Sequence, residues 1–380
     1  MTSQLSSRSR RRSPHAGFSI VEVLVSVTVM LIIAGSIFAL VDPTQGITRA
    51  QPEASDMQQR MRVATDLMAR DLIMAGAGTY SGAIAGGLAN FFAPIQPVRS
   101  GTLYHGEAMQ RYFPDRITIA YVPNTAAQTT IREPMPQPSS EVKVDARPGC
   151  PANDALCGFE QDMRVIIFDE TGAYDFFTIT EVQTDALHLQ HRPPTNPEDF
   201  SKRYTPDENA RIAQCETHTY FVEPPMSQDA PRRQLMHYIG WGPEPEVVID
   251  NVVDLQFQYF GDPNPPTDPR PKAGFSNCIF DDAGNSLMPV LPSNGSSLVE
   301  LTEDILRTGP LCGAVPNQFD ADLYRVKKVR VTVRIQAPDD MRGGDAFLFR
   351  NPGGGRSAYK YVPDYEMSFE ISPRNMTLTR

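Results

Sequence analysis

Phe18 to Val41 is a run of 24 residues in which Glu22 is the only ionisable side chain. At about 1.5 Å per residue, a helix of that length reaches roughly 36 Å and can cross the hydrocarbon core of a bilayer. A carboxylate placed in such a helix costs about 2.5–3.5 kcal/mol, so a lone acid there points to function. The residues in front of it sharpen the reading. A short basic leader, residues 1–17, ends in Gly17-Phe18-Ser19-Ile20-Val21-Glu22. A cut after Gly17 would expose the α-ammonium of Phe18 one helical turn from Glu22, a natural partner for its charge in the same chain or in a neighbour.

Other uses of an N-terminal apolar run fit less well. An ordinary single-pass anchor needs neither Gly17 nor Glu22. A secretory signal has an apolar core of about 7–15 residues with a small-residue cut site beyond it; here the core is longer and is followed by Asp42-Pro43-Thr44. Arg8, Arg10, Arg11 and Arg12, with no acid among them, read as the positive flank that stays cytoplasmic while the body is exported.

Charge and cysteine content agree with export. The chain has 35 basic and 45 acidic residues, a net of −10. Loss of the four leader arginines leaves 31 against 45, or −14, a balance that argues against nucleic-acid binding. Cysteines suit an oxidising compartment. Cys150 with Cys157 and Cys278 with Cys312 are the favoured disulfide pairs, leaving Cys215 free, and other pairings stay open. No C-x-x-C occurs.

Beyond the anchor, Asp42-Pro43 and Gly46 interrupt the helix and Pro52 restarts it. From Glu53 to about Ala75, Met57, Met61, Ala64, Met68 and Leu72 form one apolar stripe, with Gln58, Gln59, Arg62, Asp66 and Arg70 opposite. Gly76 and Gly78 end it. The stripe is expected to be the seam against a sheet. After Gly78 the period becomes two. Ile117–Val122 reads as a strand and 123–158 as a proline-rich stretch. Arg164–Phe168 and Asp175–Thr180 flank the turn Glu170-Thr171-Gly172-Ala173, with an extension at Ala186–Gln190. Thr217–Val222 and Gln234–Ile239 form a second pair. Val247–Phe260 reads as one long strand with Val253, Leu255, Phe257 and Tyr259 on one face, and 261–322 as loop. Val329 to Ile335 alternates cleanly, and Met367, Phe369 and Ile371 mark a last edge strand.

Gly17 to Glu22, continued by Val23-Leu24-Val25, resembles the signal of type IV prepilins and type II secretion pseudopilins. Arg70-Asp71-Leu72-Ile73-Met74-Ala75-Gly76 resembles the stem end of PilW-like minor pilins. Val248–Tyr259, Val326–Ile335 and Arg374-Asn375 resemble their later strands and tail. The resemblance implies cleavage between Gly17 and Phe18 by a prepilin peptidase, N-methylation of Phe18, and Glu22 as the residue that sets subunit register. It implies an α+β pilin-like fold: leader 1–17, membrane and filament-core helix 18–41, stem helix 42–78, and a β-rich head over 79–380. Its implied partners are other major and minor pilins, the inner membrane and the inner-membrane pilus assembly platform, and it implies no cofactor. The expected role is a minor pilin that joins, and helps prime or cap, a type IV pilus. The alternative is a J-type pseudopilin of type II secretion.

A different class, a periplasmic enzyme or binding module on an anchor, finds little support. No G-x-S-x-G or H-E-x-x-H occurs, and Gly76-Ala77-Gly78 follows a helix rather than a strand. His188 and His191 fall on opposite faces of a strand. Asp262, Asp268, Asp281 and Asp282 lack the spacing of a calcium loop and read as solvated acids. Trp241 reads as a packing residue beside a turn. No enzymatic activity is expected.

Overall fold

The computed structural model describes residues 18–78, 88–97, 115–123, 127–138, 141–151, 153–192, 200–223, 233–240, 245–337, 362 and 364–377. It divides into two units, one of residues 1–54 and 339–363 and one of residues 55–338 and 364–380.

The backbone is helical without a break over α1, Ile20–Met74. The interruption expected at Asp42-Pro43 and Gly46 is absent. An interior proline costs about 3 kcal/mol. Stopping and restarting the helix would need a fresh nucleus, with a penalty of about 10⁻³, or roughly 4 kcal/mol. Pro43 and Pro52 both lie inside α1, so their combined cost exceeds that of a fresh nucleus, and helix propensity does not explain the continuity. In the second unit the apolar stripe is fully covered: Met57 is 1% exposed, and Met61, Ala64, Met68 and Leu72 are 0% exposed. Gln58, Gln59, Arg62, Asp66 and Arg70 face solvent. The helix ends where Gly76 takes φ of +68°, a conformation open to glycine and costly for other residues. Gly76 N–H then donates to Ala120 O at 3.0 Å, and Val122 N–H donates to Ala77 O at 2.8 Å. The chain thus leaves the helix directly alongside a strand.

That strand, Arg116–Tyr121, belongs to an antiparallel junction sheet in the order Ile95–Gln96, Arg116–Tyr121, Glu216–Glu223, Gln234–Tyr238, Glu246–Asp250. Between its second and third strands the chain makes an excursion through a second antiparallel sheet, ordered Gln128–Thr130, Arg211–Gln214, Arg164–Phe168, Tyr174–Gln183, His188–Arg192, Val142–Lys143. Its two outer strands meet. Ile131 bridges Val144, and Arg132 N–H donates to Lys143 O at 3.0 Å. The sheet closes into a small barrel filled by Ile131, Val142, Val165, Phe177, Leu189 and Ile212, and closure leaves it no open edge. The stretch 123–158, expected to be loop, therefore supplies two barrel strands. Strands of two and three residues are too short to display a period of two.

Asn251 separates the strands Glu246–Asp250 and Val252–Gly261 at φ of +61°. The run expected to be one strand is thus two, and they lie in different sheets. A register shift between Val252 and Asp254 also places Val252, not Val253, in the core beside Leu255, Phe257 and Tyr259. The C-terminal sheet is ordered Val299–Leu301, Val252–Gly261, Val326–Ile335, Tyr365–Ile371. Val329, Val331, Val333 and Ile335 are each 0% exposed, while Lys328 and Arg330 pair with Glu370 on the outer face.

The segment 261–322 is more ordered than its composition suggests. It contains Val299–Leu301 and a two-stranded ladder, Leu311–Cys312 with Phe319–Asp320. The buried Arg325 guanidinium gathers it, with Nη1 donating to Pro263 O at 2.9 Å and Nη2 to Pro289 O at 2.6 Å. Cys278 and Cys312 form a disulfide, which packs under Gly172 of the barrel hairpin. A Cβ at Gly172 would lie 3.2 Å from Cys278 Sγ, so this turn needs glycine both for its φ of +84° and for space. Cys150 and Cys157 form a second disulfide, and Cys215 is free and buried.

Candidate functional site: the exposed N-terminal helix

Helix α1 opens with a reciprocal cap. Ser19 Oγ accepts from Val21 N–H at 3.3 Å, and Ser19 N–H donates to Glu22 Oε2 at 3.4 Å. This capping box turns the Glu22 carboxylate back toward the start of the helix, where the positive end of the helix dipole also favours an anion. The hydroxyls that follow are satisfied within the helix. Ser26 donates to Glu22 O at 2.7 Å, Thr28 to Leu24 O at 2.8 Å and Ser36 to Ile32 O at 2.8 Å. Self-satisfaction of this kind is what a lipid or apolar environment demands of polar groups. Glu22 alone carries a charge in that stretch.

Large apolar side chains dominate the surface of this segment: Phe18 is 83% exposed, Met30 72% and Phe38 73%. Ile20–Ala39 is long and apolar enough to cross a membrane, and none of it is buried. A continuous uncovered apolar helix requires a membrane, a partner surface, or each in turn. Gly17 lies outside the described residues, so the cut site is placed only from its Phe18 side.

The prokaryotic N-terminal methylation motif matches residues 12–38, which span the end of the leader, Gly17, Phe18, Glu22 and most of the apolar helix. The match fits a type IV prepilin-like protein. No curated protein and no solved structure matches it. For a prepilin-like chain the motif implies processing by a prepilin peptidase and assembly with other pilins. The apolar helix is consistent with membrane anchoring.

The other residues singled out in the sequence belong to the second unit. Asp262 Oδ1 accepts from Asn264 N–H at 2.9 Å and Asp281 Oδ1 from Asn285 N–H at 2.7 Å, each closing its own turn, and Asp268 Oδ2 accepts from the neighbouring Thr267 hydroxyl at 2.9 Å. His188 pairs with Glu141 at 3.2 Å, whereas His191 stacks on Phe200 with centroids 4.2 Å apart. Trp241 lies outside the described residues.

A second polar cluster escaped the sequence reading. Asp71, on the last turn of α1, is 4% exposed, and its Oδ2 accepts from the Tyr220 hydroxyl at 2.5 Å. His218 Nδ1 lies 3.3 Å and His237 Nε2 3.9 Å from the same oxygen, and the two ring nitrogens are 2.9 Å apart. The Tyr121 hydroxyl meets His218 Nε2 at 2.9 Å. Burial, then the Asp71 charge, pushes the Tyr220 hydroxyl above the ordinary tyrosine range. Burial, then the neighbouring His218, holds His237 below the ordinary histidine range. One clue was available: Asp71 directly precedes Leu72 of the apolar stripe, an acid at the edge of a helix's buried side.

Proposed function

We propose that this prepilin-like chain is a PilW-like minor pilin, cut between Gly17 and Phe18, N-methylated at Phe18, and built into a type IV pilus that it helps prime or cap. The observation that carries the reading is Glu22, a capping acid on the first turn of an uncovered apolar helix, just after the cut site. After cleavage the Phe18 ammonium stands four residues before Glu22, the spacing of helical neighbours. Within a membrane the two charges neutralise each other. In a filament core the Glu22 of one subunit meets the amine of the next, and that pairing sets the axial step. The head remains on the periplasmic side before assembly and on the pilus surface after it. The stem end Arg70–Gly76, with Asp71 tied to the head, supports the PilW-like assignment within the prepilin class.

The test compares wild type with Glu22→Ala and Glu22→Gln in a piliated host. The readout is the amount of this protein in sheared filaments relative to the membrane pool. Insertion and cleavage should survive in both variants, because the leader and Gly17 are untouched. An unpaired amine in the filament core should lower incorporation at least about tenfold, equivalent to about 1.4 kcal/mol. Equal incorporation of all three would reduce the segment to a plain anchor.

A further inference from the structure

We propose that Asp71, His218 and His237 form a Zn²⁺ site that clasps the end of α1 to two strands of the junction sheet. The residues come from three elements far apart in sequence: the last turn of α1, the strand Glu216–Glu223 and the strand Gln234–Tyr238. Their facing atoms, Asp71 Oδ2, His218 Nδ1 and His237 Nε2, define a triangle with sides of 2.9, 3.3 and 3.9 Å. The circle through such a triangle has a radius of about 2.0 Å, the length of a Zn–N or Zn–O bond, about 2.0–2.2 Å. A hydrogen bond between the histidines accounts for the shortest side alone. The Tyr220 hydroxyl holds the Asp71 oxygen beside that pair, so that three ligand atoms from three elements face one point.

The donor set points to a borderline transition metal rather than a hard cation. Two imidazoles and one carboxylate suit zinc, whereas Ca²⁺ and Mg²⁺ take oxygen ligands throughout. Three protein ligands leave a fourth tetrahedral position for water. The surroundings supply the outer partners that orient such ligands. With its proton on Nε2, His218 donates to the Tyr121 hydroxyl at 2.9 Å and presents the Nδ1 lone pair to the ion. The Tyr220 hydroxyl donates to the coordinating Asp71 oxygen at 2.5 Å. His237 needs its proton on Nδ1, so binding moves that proton between ring nitrogens without a change of charge. His218 also lines a cleft of about 520 Å³ together with Glu216 and Arg164.

The full chain, purified in detergent and stripped with EDTA, should be titrated with Co²⁺ and then Zn²⁺. One Co²⁺ per chain is expected, with the visible absorption of a tetrahedral site that Zn²⁺ abolishes. The paired substitutions His218→Gln and His237→Gln should remove that signal. Tyr121→Phe keeps every ligand and should weaken binding about 10–100-fold. A folded wild-type chain that takes up no stoichiometric ion would overturn the proposal, as would a doubly substituted chain that binds like wild type. If the doubly substituted chain does not fold, Tyr121→Phe decides: unaltered affinity would contradict coordination through His218 Nδ1.

Discussion

Replacing Arg325 by methionine should be among the most damaging single changes in the head. The side chain is 1% exposed, its Nε pairs with Asp322 Oδ1 at 2.5 Å, and its Nη atoms hold the Pro263 and Pro289 carbonyls. Methionine fills similar space but strands a buried carboxylate and two acceptors. Breaking one side of a buried ion pair costs about 3–5 kcal/mol, because the remaining charge has no compensation. Burial already pushes Asp322 above the ordinary carboxylate range even with Arg325 beside it, and loss of the cation should push it further. The damage should therefore shrink as pH falls toward 5 and Asp322 takes up a proton. Adding Asp322→Asn should recover part of the loss at neutral pH by removing the stranded charge. Denaturant midpoints of the oxidised protein at pH 5 and pH 7.5 measure both effects, and limited proteolysis should show first cleavage moving into 263–290. A loss below about 1 kcal/mol, or a double variant no more stable than Arg325→Met, would refute the account of Arg325 as the organiser of this segment.

Asp175 provides a pH test. Burial pushes its carboxyl up to about 6, although Ser201, Tyr204 and Asn317 all donate to it. A raised folded-state value means that its stabilising contribution is complete below about 4 and is lost as pH rises through about 6, by up to about 3 kcal/mol. Denaturant midpoints of Asp175→Asn should therefore gain on wild type between pH 4 and pH 7, and a constant difference would contradict the burial argument. The cysteines offer a simpler check. Alkylation of unfolded, unreduced protein should label Cys215 alone among the five cysteines, and labelling at Cys150, Cys157, Cys278 or Cys312 would break the pairing described above.

Legibility in the sequence followed the range of the interactions. The methionine stripe of the stem could be read because helical spacing is a local signal, and the alternation of Val329 to Ile335 could be read because one face of that strand is buried. Where two local signals competed, the reading failed. Pro43 and Gly46 looked like helix breakers, but the helix runs through both. The split at Asn251 was hidden because apolar residues run through it, and only its left-handed backbone reveals the change of sheet. Closure of the barrel rests on Ile131 meeting Val144 across a proline-rich stretch with little periodicity. The Asp71 cluster draws on residues 149 positions apart in the case of Tyr220, so no spacing pattern could announce it. The N-terminal methylation motif was legible for the opposite reason: the whole signal lies within one short stretch of chain, residues 12–38.

The most direct test of the central claim is mass spectrometry of the N-terminal peptide of this protein recovered from sheared filaments. The account predicts a peptide that starts at Phe18, carries one methyl group on its α-amine and retains Glu22, present in a minor amount relative to the major subunit. A chain that still begins at Met1, one cut beyond Val41, or filaments that contain none of this protein would contradict it.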